Sequence, residues 1–134
     1  MKDKRILILF LTIFIDLLGF GVVIPILPNL AKSLATGSTL PFNPDVAVGV
    51  VVGSFSIIQF FFAPIFGSLS DRIGRRPILL VSILFNIVGY ILFGLSSSFV
   101  FLLLARVVSG FGSANIAAAQ AYIADITPPE DRAK

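Results

Sequence analysis

Four long apolar stretches decide what this chain can fold into. They run over about residues 6 to 27, 46 to 69, 77 to 95 and 99 to 126, and most polar residues fall between them. About 20 helical residues cross the roughly 30 Å of hydrocarbon in a bilayer, so each stretch is long enough to span it. Because unpaired backbone groups are intolerable in lipid, the sequence predicts an all-α membrane protein with four transmembrane helices.

The composition excludes several classes of protein. Hydrophobic residues make up 57% of the 134 residues and charged residues only 13%, more apolar surface than a small soluble domain can bury. Cysteine and histidine are absent, so we expect no metal site and no cofactor. With no serine or acidic constellation either, a membrane enzyme would lack a nucleophile or metal site. The net charge of +3 reflects where basic residues sit relative to the membrane, and no nucleic-acid partner is expected.

Basic residues cluster at one end of the predicted bundle. They lie in the N-terminal segment, the turn after the second stretch and the C-terminal tail: Lys2, Lys4, Arg5, Arg72, Arg75, Arg76, Arg132 and Lys134. Lys32 alone falls at the other end, in a segment of about residues 29 to 45 that we expect to be an external connector. Since positive residues favour the inner side, both termini are predicted to be cytoplasmic in a multi-pass protein of the cell membrane.

Two ionisable residues lie inside the predicted membrane region. Asp16 is in the first stretch and Arg106 in the fourth, and each costs about 2.5 to 3.5 kcal/mol at a helix centre. At 1.5 Å per residue their backbones differ in depth by about 5 Å, which an arginine side chain can span, so an ion pair is expected. Asp16 is a candidate proton carrier, and the alternative is a static ion pair that orients two helices.

Polar and small residues recur at helical spacing along the fourth stretch. They are Arg106, Ser109, Gly110, Ser113, Ala117 and Gln120. Two interpretations stay open: the stripe faces water or substrate, or its small residues allow close helix packing. The proton-coupling and cavity candidates are therefore Asp16, Arg106, Gln59, Ser113 and Gln120, with Asn86 and Tyr90 as weaker ones. In the second stretch, Gly49 and Gly53 fit a small-xxx-small packing pattern.

A polar turn, GSLSDRIGRRP, separates the second and third apolar stretches at residues 67–77. Gly74 is expected to take a left-handed backbone position, and Pro77 suits the first position of the third helix. The turn resembles the loop between the second and third helices of major facilitator superfamily transporters. The residues that match the family pattern are Gly67, Leu69, Ser70, Asp71, Arg72, Gly74, Arg75 and Arg76.

Two further segments resemble antiporters of the same superfamily. LGFGVVIPILP, residues 18–28, is similar to the first-helix signature of drug/proton antiporters, and Asp16 resembles the acidic residue of tetracycline/proton antiporters. The fourth-helix signature is matched at Leu102, Arg106, Gly110 and Gly112, with departures at Ser109 and Ser113. The resemblance implies that both helices line a central cavity. The predicted helix-packing positions are Gly19, Pro25, Pro28, Gly110 and Gly112.

The resemblance implies that residues 1–134 are a partial N-terminal half of a transporter with twelve helices in two halves. Thr127 and Glu130 form a capping-box pattern near the end of the sequence, so we expect the rest of the transporter, including its C-terminal half, to be missing. The implied function is transport of a small molecule by a secondary active, proton-coupled drug antiporter using alternating access. Its expected partners are the lipid bilayer, the substrate and protons. The alternatives are a complete small four-helix dimeric multidrug exporter and a non-transporting membrane subunit.

The acidic residue of the polar turn needs compensation, because Asp71 lies near the C-terminal end of a helix, where the macrodipole is negative. Asp125 is placed in the same way on the fourth helix. Arg75 is one helical turn from Asp71, so we expect a cluster of Asp71, Arg75 and Asp125. A latch between transporter halves is one interpretation, which the resemblance favours, and a topology signal with loop solubility is the other. The proposed gating motif comprises Gly67, Asp71, Arg72, Gly74, Arg75, Arg76 and Asp125.

Overall fold

Four helices make up the chain that the structure describes. This computed structural model describes residues 2–39, 41, 43–115 and 124. The helices are α1 (Lys2–Thr36), α2 (Pro44–Ile73), α3 (Arg75–Gly94) and α4 (Phe99–Ser113). Short links join consecutive helices that pack on one another, so neighbours are antiparallel and the bundle has a Lys32 end and a Gly74 end. The prediction of an all-α architecture is confirmed for these residues.

The helix bounds differ from the predicted spans in α1 and in α4, and the difference in α1 is an extension. This helix continues to Thr36, so the prediction of a connector beginning at residue 29 was wrong. Ala31 and Ala35 are buried in the core, and burial of this helical face extends the helix past the predicted span. Among the residues that the structure describes, three segments are long and apolar enough to cross a membrane: Asp16–Thr36, Pro44–Ile73 and Arg75–Gly94.

The fourth helix is shorter than predicted within the described residues. It covers 15 residues, Phe99–Ser113, and a turn follows at Ala114 and Asn115. Gly110 and Gly112 lie in its last turn, and glycine costs about 1 kcal/mol in a helix relative to alanine, which favours termination here. The predicted residues Gln120 and Asp125 lie outside the described part of the chain.

Local sequence signals fix the helix ends. Asn43 accepts a hydrogen bond from the Asp45 backbone N–H at 3.3 Å, and Pro44 occupies the first helical turn of α2. Ser98 caps α4 in the same way, through the Phe101 N–H at 3.3 Å. Each cap satisfies a backbone donor that has no partner within the helix.

The apolar core lies toward the Lys32 end. Its buried members come from α1, α2 and α4: Val23, Leu27, Ala31, Ala35, Ala47, Val51, Phe99 and Leu102. The alanines let the helix backbones approach closely. In the first half of α1, by contrast, Leu7, Phe10 and Leu17 are exposed. Packing therefore joins α1 to the bundle mainly through its second half.

Candidate functional site

Asp16 is held by a neutral amide from a neighbouring helix. It lies near the middle of α1 and is half-buried, and its Oδ1 accepts a hydrogen bond from Asn86 Nδ2 of α3 at 3.0 Å. Asn86 itself is only 4% exposed. The charged form of Asp16 is thus stabilised by a hydrogen-bond donor that carries no charge of its own.

The hydrogen bonds continue from Asn86 into α4 and α2. Ser113 Oγ donates to Asn86 Oδ1 at 3.4 Å, and Gln59 Nε2 donates to the Ser113 backbone carbonyl at 3.3 Å. A single chain of polar contacts therefore runs through all four helices, from Asp16 to Gln59. We call these four residues, Asp16, Asn86, Ser113 and Gln59, the polar seam.

The expected ion pair between Asp16 and Arg106 does not form. The salt bridges within the described residues are Lys32 with Asp45 and Asp71 with Arg75. Arg106 is 5% exposed and places its guanidinium carbon 4.2 Å from the centroid of the Phe55 ring of α2. Its Nε has no hydrogen-bond partner in the described part of the chain. A cation over an aromatic face gains about 0.5 to 2 kcal/mol. Phe55, and not the predicted Asp16, is therefore the observed partner of the Arg106 guanidinium.

Tyr90 is within electrostatic reach of both intramembrane charges. It is one helical turn after Asn86 on α3 and interacts electrostatically with both Asp16 and Arg106. A Cβ added at Gly19 of α1 would lie 2.5 Å from Cζ of the Tyr90 ring, so a larger residue at Gly19 would displace the tyrosine. Asn86 and Tyr90 therefore bring the same face of α3 against α1.

Close backbone approach accounts for the glycines of α4. A Cβ at Gly112 would lie 2.7 Å from the Asn86 backbone nitrogen, and one at Gly110 would lie 3.0 Å from the Phe55 carbonyl oxygen. Ser109 packs in the same manner against Gly89 of α3. Of the two interpretations of the polar stripe, close packing describes the buried residues Ser109 and Gly110, whereas Ser113 is half-buried and hydrogen-bonded.

The other glycines and prolines predicted to mediate packing are differently placed. Pro25 and Pro28 lie inside α1, where Pro25 is exposed and Pro28 is half-buried. The packing prediction for Gly49 and Gly53 stays a prediction, because a Cβ at either position would meet nothing within 4 Å among the described residues. The small-xxx-small spacing therefore lies on an open face of α2.

The polar turn joins α2 to α3 through one glycine. Gly74 has φ 104° and ψ 154°, which L side chains rarely adopt, and a positive φ is what the sequence predicts. The helix resumes at Arg75, so Pro77 is the third residue of α3 instead of the first. Backbone N–H groups of the whole first turn lack helical acceptors, so proline costs no hydrogen bond at the third position either.

Charges at this turn are paired across the glycine. Arg75 Nη2 lies 3.0 Å from Asp71 Oδ1, and the two side chains are 22% and 64% exposed. Arg72 and Arg76 are exposed, and a Cβ at Gly67 would meet nothing within 4 Å. At the opposite end of the bundle, Lys32 Nζ and Asp45 Oδ1 form a second exposed salt bridge at 2.7 Å.

An open groove runs along α2 beside Gln59. It has a volume of about 590 Å³ and is mostly apolar, and it is lined by Ser56, Gln59, Phe60, Phe61, Ala63 and Pro64. Phe60 and Phe61 meet edge to face, with ring centroids 5.7 Å apart. The groove offers aromatic surface with one amide beside it.

Sequence reasoning underrated Asn86 and missed Phe55. A lone asparagine within an apolar helix needs a partner in lipid, so the signal for Asn86 was present in the sequence. Phe55 is one of 14 phenylalanines, and nothing in the sequence distinguishes the one that receives Arg106. Helix packing alone identifies it.

Comparison with known proteins gives the family. Residues 9–134 match the Major Facilitator Superfamily. The tetracycline resistance protein, class C, of Escherichia coli is 38% identical over 135 residues, covering 100% of this chain and 33% of that protein. The quinolone resistance protein NorA of Staphylococcus aureus (strain Mu50 / ATCC 700699) is 33% identical over 134 residues, covering 98% and 32%.

A solved structure has the same helical arrangement. The crystal structure of the human organic anion transporter MFSD10 (TETRAN) superposes with a TM-score of 0.79 at 28% identity, covering 96% of this chain and 35% of that one. Apolar spans in this arrangement define a multi-pass integral membrane protein. The chain belongs to the Major Facilitator Superfamily, and it spans about a third of the length of the curated relatives it matches.

Proposed function

We propose that the chain forms the N-terminal part of a secondary active transporter that exports drug-type molecules in exchange for protons. The single observation that carries this proposal is Asp16, an acid in the membrane-spanning part of α1 with a neutral partner. The family match and relatives named for tetracycline and quinolone resistance support transport of such substrates.

Asp16 is the proposed proton carrier. A carboxylate locked to an arginine in lipid stays charged, because breaking the pair leaves an uncompensated charge. Asp16 instead meets the Asn86 amide, which forms a weaker bond to a neutral carboxyl than to a carboxylate. Both charge states of Asp16 are therefore accessible, which a proton carrier requires.

Arg106 is the proposed counter-charge for the other half of the cycle. Its guanidinium is buried and stacked on Phe55, and its Nε is without a hydrogen-bond partner in the described residues. During alternating access, Asp16 and Arg106 would move closer to each other. The approach of the guanidinium would favour the charged form of Asp16, which would then release its proton. The cavity candidates Gln59, Ser113 and Gln120 would line the same space.

The groove beside Gln59 is the proposed contact for the substrate's apolar rings. Binding sites for small molecules are mostly apolar with a few polar groups that fix orientation. Phe60 and Phe61 supply aromatic faces, and Gln59 supplies an amide. The proposed substrates are drugs with aromatic rings, such as tetracyclines and quinolones.

The turn between α2 and α3 is the proposed cytoplasmic latch. With the basic residues inside, both termini and the Gly74 end face the cytoplasm of the cell membrane. The Asp71–Arg75 pair would hold a helix of the transporter's second half in one state and release it as the halves rock. Gly67, Arg72, Gly74, Arg76 and Asp125 complete this gating motif.

The family assignment also bears on the two alternatives. A small four-helix dimeric exporter would not carry the superfamily match over residues 9–134. A non-transporting membrane subunit has little reason to accept the insertion cost of Asp16 and Arg106, about 2.5 to 3.5 kcal/mol each at a helix centre. The proposed protein needs no enzyme activity and no cofactor.

Transport driven by a pH gradient tests the carrier role of Asp16. The protein, expressed from its complete reading frame in everted vesicles, is expected to accumulate tetracycline or a quinolone when a pH gradient is imposed. Asp16→Asn is expected to abolish gradient-driven accumulation, because an amide cannot carry the proton. Asp45→Asn is the matched control, since it neutralises an exposed acid at the Lys32 end. Gradient-driven accumulation by Asp16→Asn would exclude the carrier role.

The latch is tested by comparing the two exposed salt bridges. Asp71→Asn is expected to slow transport at least about tenfold, a loss of about 1.4 kcal/mol in the rate-limiting step, whereas Asp45→Asn leaves it unchanged. Each variant removes one acid from an exposed pair. Equal rates for the two variants would mean that the turn serves only topology and solubility.

A further inference from the structure

Asn86 uses both ends of its amide to connect two other helices. Its Nδ2 donates to Asp16 Oδ1 of α1 at 3.0 Å, and its Oδ1 accepts from Ser113 Oγ of α4 at 3.4 Å. An amide with one donor bond and one acceptor bond has a defined orientation, because a flip would break both. Ser113 therefore holds the Asn86 N–H group toward Asp16.

Packing also restricts Asn86. A Cβ at Gly112 would lie 2.7 Å from the Asn86 backbone nitrogen, so α4 approaches α3 as closely as the two backbones allow at this point. The Asn86 side chain is 4% exposed, which leaves it no room to turn toward solvent. The position of the Asn86 side chain is therefore restricted by the packing of α4 against α3.

Ser82 shows that burial alone does not give α3 this role. It lies one turn before Asn86 on the same face and is fully buried. Its hydroxyl, however, donates at 2.9 Å to the Ile78 carbonyl of its own helix. Ser82 is thus a buried polar residue without the contact to α1, which makes it a matched control.

We propose that Asn86 is a positioning residue that sets the pH range over which Asp16 exchanges its proton. The inference rests on the proposed function of Asp16 as proton carrier. Asn86 Nδ2 can only donate, and its bond to a carboxylate is charge-assisted and stronger than its bond to a neutral carboxyl. In this conformation Asn86 favours the charged form, so without it Asp16 holds its proton to higher pH.

The charged and titratable groups facing Asp16 are few. In α3, Tyr90 interacts electrostatically with Asp16, and in α4, Arg106 interacts with Tyr90. Asp16 is the one charged residue of α1 between Arg5 and Lys32, and α2 has none between Asp45 and Asp71. Neither Tyr90 nor Arg106 hydrogen-bonds Asp16, so Asn86 makes the direct contact.

The pH dependence of transport tests the proposal. The protein from its complete reading frame is reconstituted in proteoliposomes, with tetracycline as probe. Asn86→Ala is expected to raise the pH at which tetracycline transport is half-maximal by about one unit. Ser82→Ala is expected to leave it in place. Where turnover is lost, the same midpoint is measured from tetracycline binding.

A second variant tests the same proposal if Asn86→Ala does not fold. Ser113→Ala keeps Asn86 and the Gly112 contact but removes the bond that orients the amide, so a smaller upward shift is expected. Unchanged midpoints in Asn86→Ala and Ser113→Ala, with coupling still lost in Asp16→Asn, would overturn the positioning role alone. Retained coupling in Asp16→Asn would overturn the proposed function and this inference together.

Discussion

Asp16 and Asp71 are two aspartates of one bundle whose partners differ in charge. Asp16 is half-buried in the polar seam and accepts a 3.0 Å hydrogen bond from the neutral amide of Asn86. Asp71 has a side chain 64% exposed and lies 3.0 Å from the guanidinium of Arg75. The contact distances are the same, so the chemical difference between the two sites lies in the partner and its surroundings.

The difference separates two uses of an acidic residue. A neutral donor in a half-buried site leaves the charge of the carboxyl free to respond to its surroundings. An arginine is always charged, and an exposed pair with it contributes little to stability and is screened by salt. We therefore propose that Asp16 changes its charge during transport, whereas Asp71 keeps its charge and changes its partner.

The largest change in free energy is expected from a substitution that disturbs only the packing around Asn86. In Gly112→Ala the new methyl group meets the Asn86 backbone, so overpacking is expected to destabilise the protein by about 1 to 3 kcal/mol. Gly49→Ala is the control, because its Cβ meets nothing within 4 Å. Thermal unfolding in detergent measures both. Equal unfolding temperatures would mean that α4 does not press on Asn86.

Lengthening each acid by one methylene sharpens the comparison. Asp16→Glu is expected to keep proton coupling but to slow transport about tenfold, because the carboxylate no longer meets Asn86 where the helices hold it. Asp71→Glu is expected to transport normally, since its exposed side chain can adjust to Arg75. Initial rates in vesicles measure both. A slower Asp71→Glu would show that the turn demands fixed geometry.

The backbone of the turn gives a third, smaller effect. Gly74→Ala places a side chain at φ 104°, where strain of about 1 to 2 kcal/mol is expected. Gly67 lies earlier in α2, where an added Cβ would meet nothing within 4 Å, so Gly67→Ala is expected to be neutral or slightly stabilising. Unfolding temperatures distinguish the two variants. A neutral Gly74→Ala would indicate that the turn can adopt another conformation.

The smallest effect is expected for the stability of the exposed ion pairs. Asp71→Asn and Asp45→Asn should each cost less than about 1 kcal/mol, and the cost should shrink at high salt. Unfolding at low and high ionic strength checks this. A salt-independent loss of more than about 2 kcal/mol for Asp71→Asn would place Asp71 with the buried acids.

Much of the fold follows from the sequence, because apolar length and turn chemistry are local signals. The four helices, the positive φ of Gly74 and the Asp71–Arg75 pair were all predicted. The end of α1 was not, since Ala31 and Ala35 are buried in a core shared with residues of α2 and α4. Such contacts depend on tertiary packing and leave no mark in a local pattern.

The candidate site was harder to predict than the fold. Depth along each helix suggested that Asp16 and Arg106 could meet, but depth says nothing about which helix faces are opposed. In the folded bundle α3 presents Asn86 to Asp16, while α2 presents Phe55 to Arg106. Helix rotation decided both partners, and a single sequence does not specify it.

Proton release on substrate binding tests the central claim most directly. The purified protein from its complete reading frame is placed in weakly buffered detergent with a pH indicator dye. It is expected to release a proton into the solution when tetracycline is added. Asp71→Asn should release the same amount, and Asp16→Asn should release none. Undiminished proton release by Asp16→Asn would contradict the assignment of the transported proton to Asp16.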